Sequence, residues 1–207
     1  MKGDLPVKLV NEFSVEYSKP LEIIFNTIVK SGEYPRQWVE EEQVVIPKSK
    51  PIESFDSLRS LSKTAFFSKV FESFLRDWIM PHISPFLNPS NFGGMKGDSP
   101  AYYLINLLHF VHSHLDKKVP HAVLLAQADV RRAFNSVSHQ DIVIDLCDMK
   151  TPGWIMRLIL SYLTCRSMVM KFRGATSSRF ELTGSCPQGV FLSVILLIVT
   201  FKDLKNW

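Results

Sequence analysis

Asp129 closes the apolar run "HAVLLAQAD", and Phe134 follows it at the fifth position in "VRRAFNSVSH". An ionised carboxylate at the end of an apolar strand is costly unless something pairs with it. A hard cation is one such partner, because Mg2+ takes carboxylate and phosphate oxygens together. A salt bridge to Arg131 or Arg132, or a helix cap, is the other. The residues alone leave both readings standing.

Other chemistry-bearing groups read more plainly. His109, His112 and His114 share one predicted helix, but no acid lies near them in sequence and His114 faces another way. Solvated histidines are the expectation there, not a metal site. Lys117 and Lys118 read as a charged helix end, favourable against the helix dipole. "GGMKG" sets glycines beside a lysine without the GxxxxGK[ST] spacing or the leading strand of a phosphate loop, so it reads as a helix connector.

The elements that must hold these residues follow from periodicity. Leu21, Ile24, Phe25 and Ile28 predict a helix stopped by Ser31-Gly32, and Val44 to Ile46 a strand closed by Pro47 and a basic turn with Lys48 and Lys50. Phe67, Val70, Phe71, Phe74, Leu75 and Trp78 predict a helix ended by Pro81 and Pro85. Leu104, Leu107, Leu108, Val111 and Leu115 mark one face of the next. Residues 121–129 read as a strand covered on both faces. A helix over 140–148 follows, then one capped by Thr151 with Pro152 at its first position. "SMVMKFRG" and "SRFELTG" read as strands joined by "GATSS", and a tight turn opens a last apolar helix.

Composition sets bounds. The 207 residues are 46% apolar, enough for a real core, and the net charge of +4 selects no partner by itself. Three scattered cysteines without a CxxC pair exclude a disulfide framework or zinc knuckle, and imply an intracellular compartment, cytoplasm or nucleus. Val190 to Phe201 rises about 18 Å as a helix, short of the ~30 Å hydrocarbon core, so no membrane partner is expected.

Five collinear stretches carry a family likeness: "IFNTIVKSGEYPRQWVEEEQVVIPKSKP", "LRSLSKTAFFSKVFESFL", "NFGGMKGDS", "QADVRRAFNSVSH" and "SCPQGVFLS". Over residues 20–205 the chain resembles the reverse transcriptase domain of non-LTR, LINE-like retrotransposons. The second stretch matches the RPIS…SK-F-E block through Arg59, Ser62, Ser68, Lys69, Phe71 and Glu72. The third matches a QFG-x-x-K-G-x-S loop, the fourth D-x-x-x-A-F-[DN], and the last G-x-P-Q-G.

The resemblance implies an α+β fold, the fingers and partial palm of a right-hand polymerase. Residues 1–20 would form a lead-in, 21–120 the fingers and 121–207 the partial palm. It implies a nucleotidyltransferase that extends a DNA primer on an RNA template, using deoxynucleotide triphosphates and two Mg2+ ions about 3.5–4 Å apart. By that likeness Asp129 is the catalytic metal ligand. Phe134 gates out a ribose 2′-hydroxyl. Gln188 and Gly189 lie by the incoming nucleotide, while Lys48 and Arg59 reach its triphosphate as point charge and fork.

The departures from the pattern matter equally. The family's Tyr/Phe-x-Asp-Asp hairpin does not appear, and Asp203 in "FKDLKNW" has no second acid beside it. Ser193 stands where many members have Gly, and Ser60 where most have Pro. One aspartate cannot hold two cations of total charge +4, so the expectation is a truncated domain that does not polymerise alone. The alternative is a non-catalytic nucleic-acid-binding remnant. A missing hairpin should also leave an unpaired edge beside the Asp129 strand and an uncovered apolar helix, hence poor solubility.

Overall fold

The computed structural model describes residues 7–48, 51–52, 54, 57–95, 97–117, 119, 122–130, 133–164, 166–182, 184–187 and 189–202. The chain enters through α1 (Val7–Glu12) and α2 (Ser14–Ser31). Ile28 of α2 is buried, and Phe25 packs on the core against Trp38 and Phe71. Gly32 ends α2 in the left-handed region (φ 71°), its N–H donating to the Ile28 carbonyl. Only glycine takes that conformation without steric cost. After α3 (Arg36–Val39) the chain passes directly into β1 (Glu40–Pro47).

β1 is the spine of a five-stranded sheet. It pairs antiparallel with β2 (Leu58–Lys63) and parallel with β3 (Ser167–Phe172). β4 (Ala175–Thr176) and β5 (Phe180–Glu181) both pair antiparallel with β3. The turn expected at "GATSS" sits earlier. Arg173 (φ 47°) and Gly174 (φ 85°) make a two-residue hairpin, and Ala175 already pairs with Phe172. Two successive positive-φ residues match the twist of the flanking strands, which is why the turn forms there.

Four helices make the core: α4 (Phe66–Ile83), α6 (His139–Asp148), α7 (Gly153–Leu163) and α8 (Phe191–Thr200). Phe71, Leu75, Ile79 and Ile83 repeat every fourth residue along α4 and are fully buried with Ile142, Leu146, Leu158, Ile159 and Leu196. α4 runs through Pro81, which was expected to stop it, and ends at Ile83. Pro81 lies in the last turn, where one lost hydrogen bond is outweighed by burying Ile83.

Thr151 does not cap α7; Pro152 takes that position. The α6 terminus claims Thr151 instead, through a Schellman motif: Thr151 N–H donates to the Leu146 carbonyl (3.0 Å) and Lys150 N–H to that of Cys147 (2.9 Å). Lys150 supplies the left-handed residue at φ 55°. Ser138 caps the other end of α6 by accepting from Asp141 N–H.

Two expected buried elements are uncovered. Residues 122–130 form neither helix nor strand; Leu124 is 93% exposed and Leu125 64%. A strand buried on both faces exists only when neighbours supply its hydrogen bonds, and no described strand pairs with this run. α5 (Pro100–Leu115), capped by Ser99, buries none of its residues. The uncovered apolar helix is therefore α5, with Leu104, Ile105, Leu108, Phe110 and Leu115 exposed, while α8 is largely buried.

Contiguous apolar surface of this kind drives association. Replacing Leu104 and Leu108 by Gln is expected to shift the chain toward monomer in light scattering. The change touches no buried group, so the unfolding free energy should stay within roughly 0.5 kcal/mol.

Candidate nucleotide-binding site

The β1–β2 hairpin sets its side chains by alternation. Glu41, Gln43 and Ser62 point inward and are buried, whereas Val44, Ile46, Lys48, Arg59, Leu61 and Lys63 are exposed. Lys48 N–H donates to the Ser57 carbonyl (2.8 Å), which holds the hairpin together past Pro47, and Arg59 lies opposite Ile46. Strand register thus puts Lys48 and Arg59 on one sheet face with Lys63. Lys171 of β3, opposite Val44, joins them. It bonds Glu42 at 2.7 Å, and that hydrogen bond holds the Glu42 carboxyl below its usual range.

A second group of residues is stitched together elsewhere. Phe134 sits half-buried in a 3-10 turn, Ala133–Asn135, and packs on the core. Its carbonyl accepts from Cys186 N–H (2.8 Å), and the Val137 carbonyl accepts from Ser185 N–H (3.1 Å). His139 Nε2 lies 2.7 Å from the Ser185 carbonyl oxygen, a donor position that fixes the protonated nitrogen. The Phe134 segment and the chain entering Pro187 are therefore one unit. Gly189 adopts φ 103°, which L side chains rarely take, and then α8 begins. A Cβ at Gly189 would meet no atom of the chain, so its requirement is conformational. Gln188 lies outside the described residues.

Beside this unit runs a groove of about 1000 Å3 between α4, residues 92–95 and the start of α8. Arg76 stacks over Phe191 at its rim, 5.6 Å from the ring centroid. Gly94 (φ 73°) closes the far wall so tightly that a Cβ there would lie 2.3 Å from Val194 Cγ1. Gly94 is thereby pressed onto α8.

The two groups are joined by a buried ion pair. Arg166, 1% exposed, donates from Nε and Nη2 to Glu41 Oε1 (2.8 and 2.5 Å) and from Nη1 to the Tyr162 carbonyl (3.0 Å). Its own carbonyl accepts from Leu182 N–H at 2.8 Å, on the path to Cys186. Burial works against its charge, yet the charge of Glu41 and its hydrogen bond hold the Arg166 pKa above the ordinary value. Tyr162 Oη in turn meets Ser193 Oγ (3.3 Å), which gives Ser193 a buried partner where a glycine would offer none. Burial pushes the Cys186 thiol up to about 12 and keeps it inert.

Glu41, Tyr162 and Arg166 were not singled out from sequence. One signal was available: alternation through "EEEQVV" turns Glu41 and Gln43 inward while Glu40 and Glu42 face out. An inward carboxylate demands a buried cation. Ser68 and Glu72, noted only as part of a motif, are both buried and bonded to each other at 3.0 Å.

Asp129 stands apart from both groups, exposed in the irregular run 122–130. A carboxylate suits Mg2+ by donor type. Among the described residues, however, no group of three or more His, Cys, Asp or Glu is placed to hold a metal ion. The residues described do not assemble that site. Nor, among them, is any helix long and apolar enough to cross a membrane.

The described residues thus combine a basic hairpin, a mixed α/β core and an aromatic turn bonded to the segment that leads into α8. Residues 46–207 match the family described as reverse transcriptase (RNA-dependent DNA polymerase), and the chain belongs to that family. It is 27% identical over 188 residues to the probable RNA-directed DNA polymerase from transposon BS of Drosophila melanogaster. It is 26% identical over 187 residues to that from transposon X-element of the same fly. Each alignment covers 89% of this chain and 20% of the relative, so the chain spans about a fifth of their length. Enzymes of the family generally depend on divalent metal ions.

The ion pair makes a sharp prediction. Arg166→Met or Glu41→Leu alone should destabilise the fold by roughly 3–5 kcal/mol, because each strands a buried charge. The double variant should recover most of that loss. A double-mutant cycle by urea denaturation reads the coupling directly.

Proposed function

We propose that this chain is the nucleotide-facing portion of an RNA-directed DNA polymerase acting with an RNA template, a DNA primer and deoxynucleotide triphosphates. In this reading residues 21–120 are the fingers and 121–207 part of the palm, although β1 and β3 share one sheet across that boundary. The observation that carries it is the bonding of the Phe134 segment to Ser185 and Cys186, within a chain of this family. Arg59 grips the triphosphate with a fork of donors and Lys48 adds a point charge. Phe134 sits where its ring would exclude a 2′-hydroxyl, and Gln188 with Gly189 lies beside the nucleotide. Asp129 is the residue that would bind Mg2+, which supplies charge neutralisation at the phosphates when present.

Binding of a fluorescent deoxynucleotide triphosphate, read by anisotropy, tests the reading. Arg59→Ala should weaken it by at least roughly tenfold, the loss of a charge-assisted hydrogen bond. Phe134→Ala should narrow the preference for deoxy- over ribonucleotide. Among the described residues no second carboxylate is grouped with Asp129, so primer extension on poly(rA)/oligo(dT) by these 207 residues should give no product. Templated product abolished by Asp129→Ala would overturn that expectation.

A second reading has its own observation. Lys48, Arg59, Lys63 and Lys171 lie on one sheet face beside exposed Val44, Ile46 and Leu61, while among the described residues Asp129 has no grouped carboxylates. A non-catalytic nucleic-acid-binding role needs only that face. RNA affinity that falls steeply with salt, without nucleotide binding, would select it.

A further inference from the structure

Glu72 of α4 is 1% exposed, and nothing in the proposed nucleotide site uses it. Its Oε1 accepts from Ser68 Oγ (3.0 Å), and Ser68 Oγ lies 3.0 Å from Tyr34 Oη. Its Oε2 is buried with no partner among the described residues. Two more orphaned oxygens belong to Glu41 Oε2 and Thr64 Oγ1. β1–β2 pairing ends at Glu42 opposite Lys63, so Thr64 follows in register beside Glu41.

The charges around these oxygens do not balance with both acids ionised. Arg166 is the buried cation of the cluster, and its donors are already committed to Glu41 and the Tyr162 carbonyl. Lys69, the cation of α4 that also faces Glu72, is exposed to solvent. Tyr34 ahead of α3 and Tyr162 of α7 face it too, and burial holds both phenols neutral. Burial pushes the Glu72 carboxyl up to about 7; Ser68, Arg166 and Lys69 pull it down and Glu41 adds to the rise. Two buried carboxylates, each with one unsatisfied oxygen, against one committed guanidinium describe a cluster short of one hydrogen.

We propose that Glu72 is carried protonated inside the fold. The hydrogen on its Oε2 removes a second buried negative charge, and Glu41, Arg166 and Glu72 form a one-proton latch between β1 and the α4–α7 layer. Departure of the proton leaves two buried anions against one cation, and the latch loosens. The device stands on the buried cluster alone and does not depend on the polymerase reading.

The sign follows from linkage. An acid that ionises later in the folded chain than in the unfolded one contributes stability that is whole below about pH 4.5. That contribution is lost as pH rises toward about 7, by up to roughly 300-fold in the folding constant. Glu72→Gln keeps the shape and a donor but cannot titrate. Urea denaturation from pH 4.5 to 8 should show the wild type losing stability relative to Glu72→Gln up to neutrality, then running parallel. In the wild type, carbon NMR should show one glutamate side-chain carboxyl titrating near neutrality. That signal should be absent from Glu72→Gln, or displaced in Glu72→Asp if the first variant does not fold. A stability difference that ignores pH, or wild-type glutamates that all titrate in the ordinary range, would overturn the proposal.

Discussion

The Glu41–Arg166 pair is the interaction on which the arrangement depends. A carboxylate and a guanidinium taken wholly out of water cost several kcal/mol each by desolvation. Their mutual attraction offsets that only in the geometry found, with two donors on one oxygen and a third on the Tyr162 carbonyl. The pair leaves no freedom in how β1 meets the end of α7. Because β1 continues into the basic hairpin and Arg166 into β3, one buried contact orients the outward face on which Lys48 and Arg59 stand. Apolar residues of similar volume would pack as well but would not specify one register.

Around that pair the core is ordinary. Leucines and isoleucines of α4, α6, α7 and α8 fill the interior, and aromatic rings from Phe25, Tyr34, Trp38 and Phe71 close the side under α2. The polar residues inside it form a line: Tyr34, Ser68, Glu72, then Arg166 and Tyr162, then Ser193 on α8. The line runs from the segment before α3 through α4 to the residue before β3, then to α7 and α8. The line is how α4 and α8 sense the sheet, and it explains a serine and a glutamate on the buried side of an otherwise apolar helix.

The helices were legible because repeats of three and four residues need no partner to be read. The β1 strand, the α6 helix and the glycine turn before α8 were legible for the same local reason. What failed was whatever depended on a distant neighbour. Residues 121–129 have the composition of a buried strand, but composition cannot supply the strand beside it. The apolar stripe of α5 announces a covered face without saying what covers it. Thr151 looks like a cap until the preceding helix takes its N–H. Of the candidate site, Lys48 and Arg59 share a sheet face, and Phe134 is bonded to Cys186 just ahead of Gly189. Asp129 does not join them, and Arg166 was invisible because its partner lies 125 residues away.

That separation has a consequence for how the chain is made. β1 leaves the ribosome long before the strand it pairs with in parallel, and translation at about 5–20 residues per second leaves it waiting roughly 6 to 25 s. Through that interval its edge is open and Glu41 has no guanidinium to meet. Parallel pairing over so long a loop also closes slowly. The order of synthesis therefore makes the sheet a late event. The nascent helices must hold a compact form without it, and a chaperone that shields β1 would act on this chain before Arg166 has been translated.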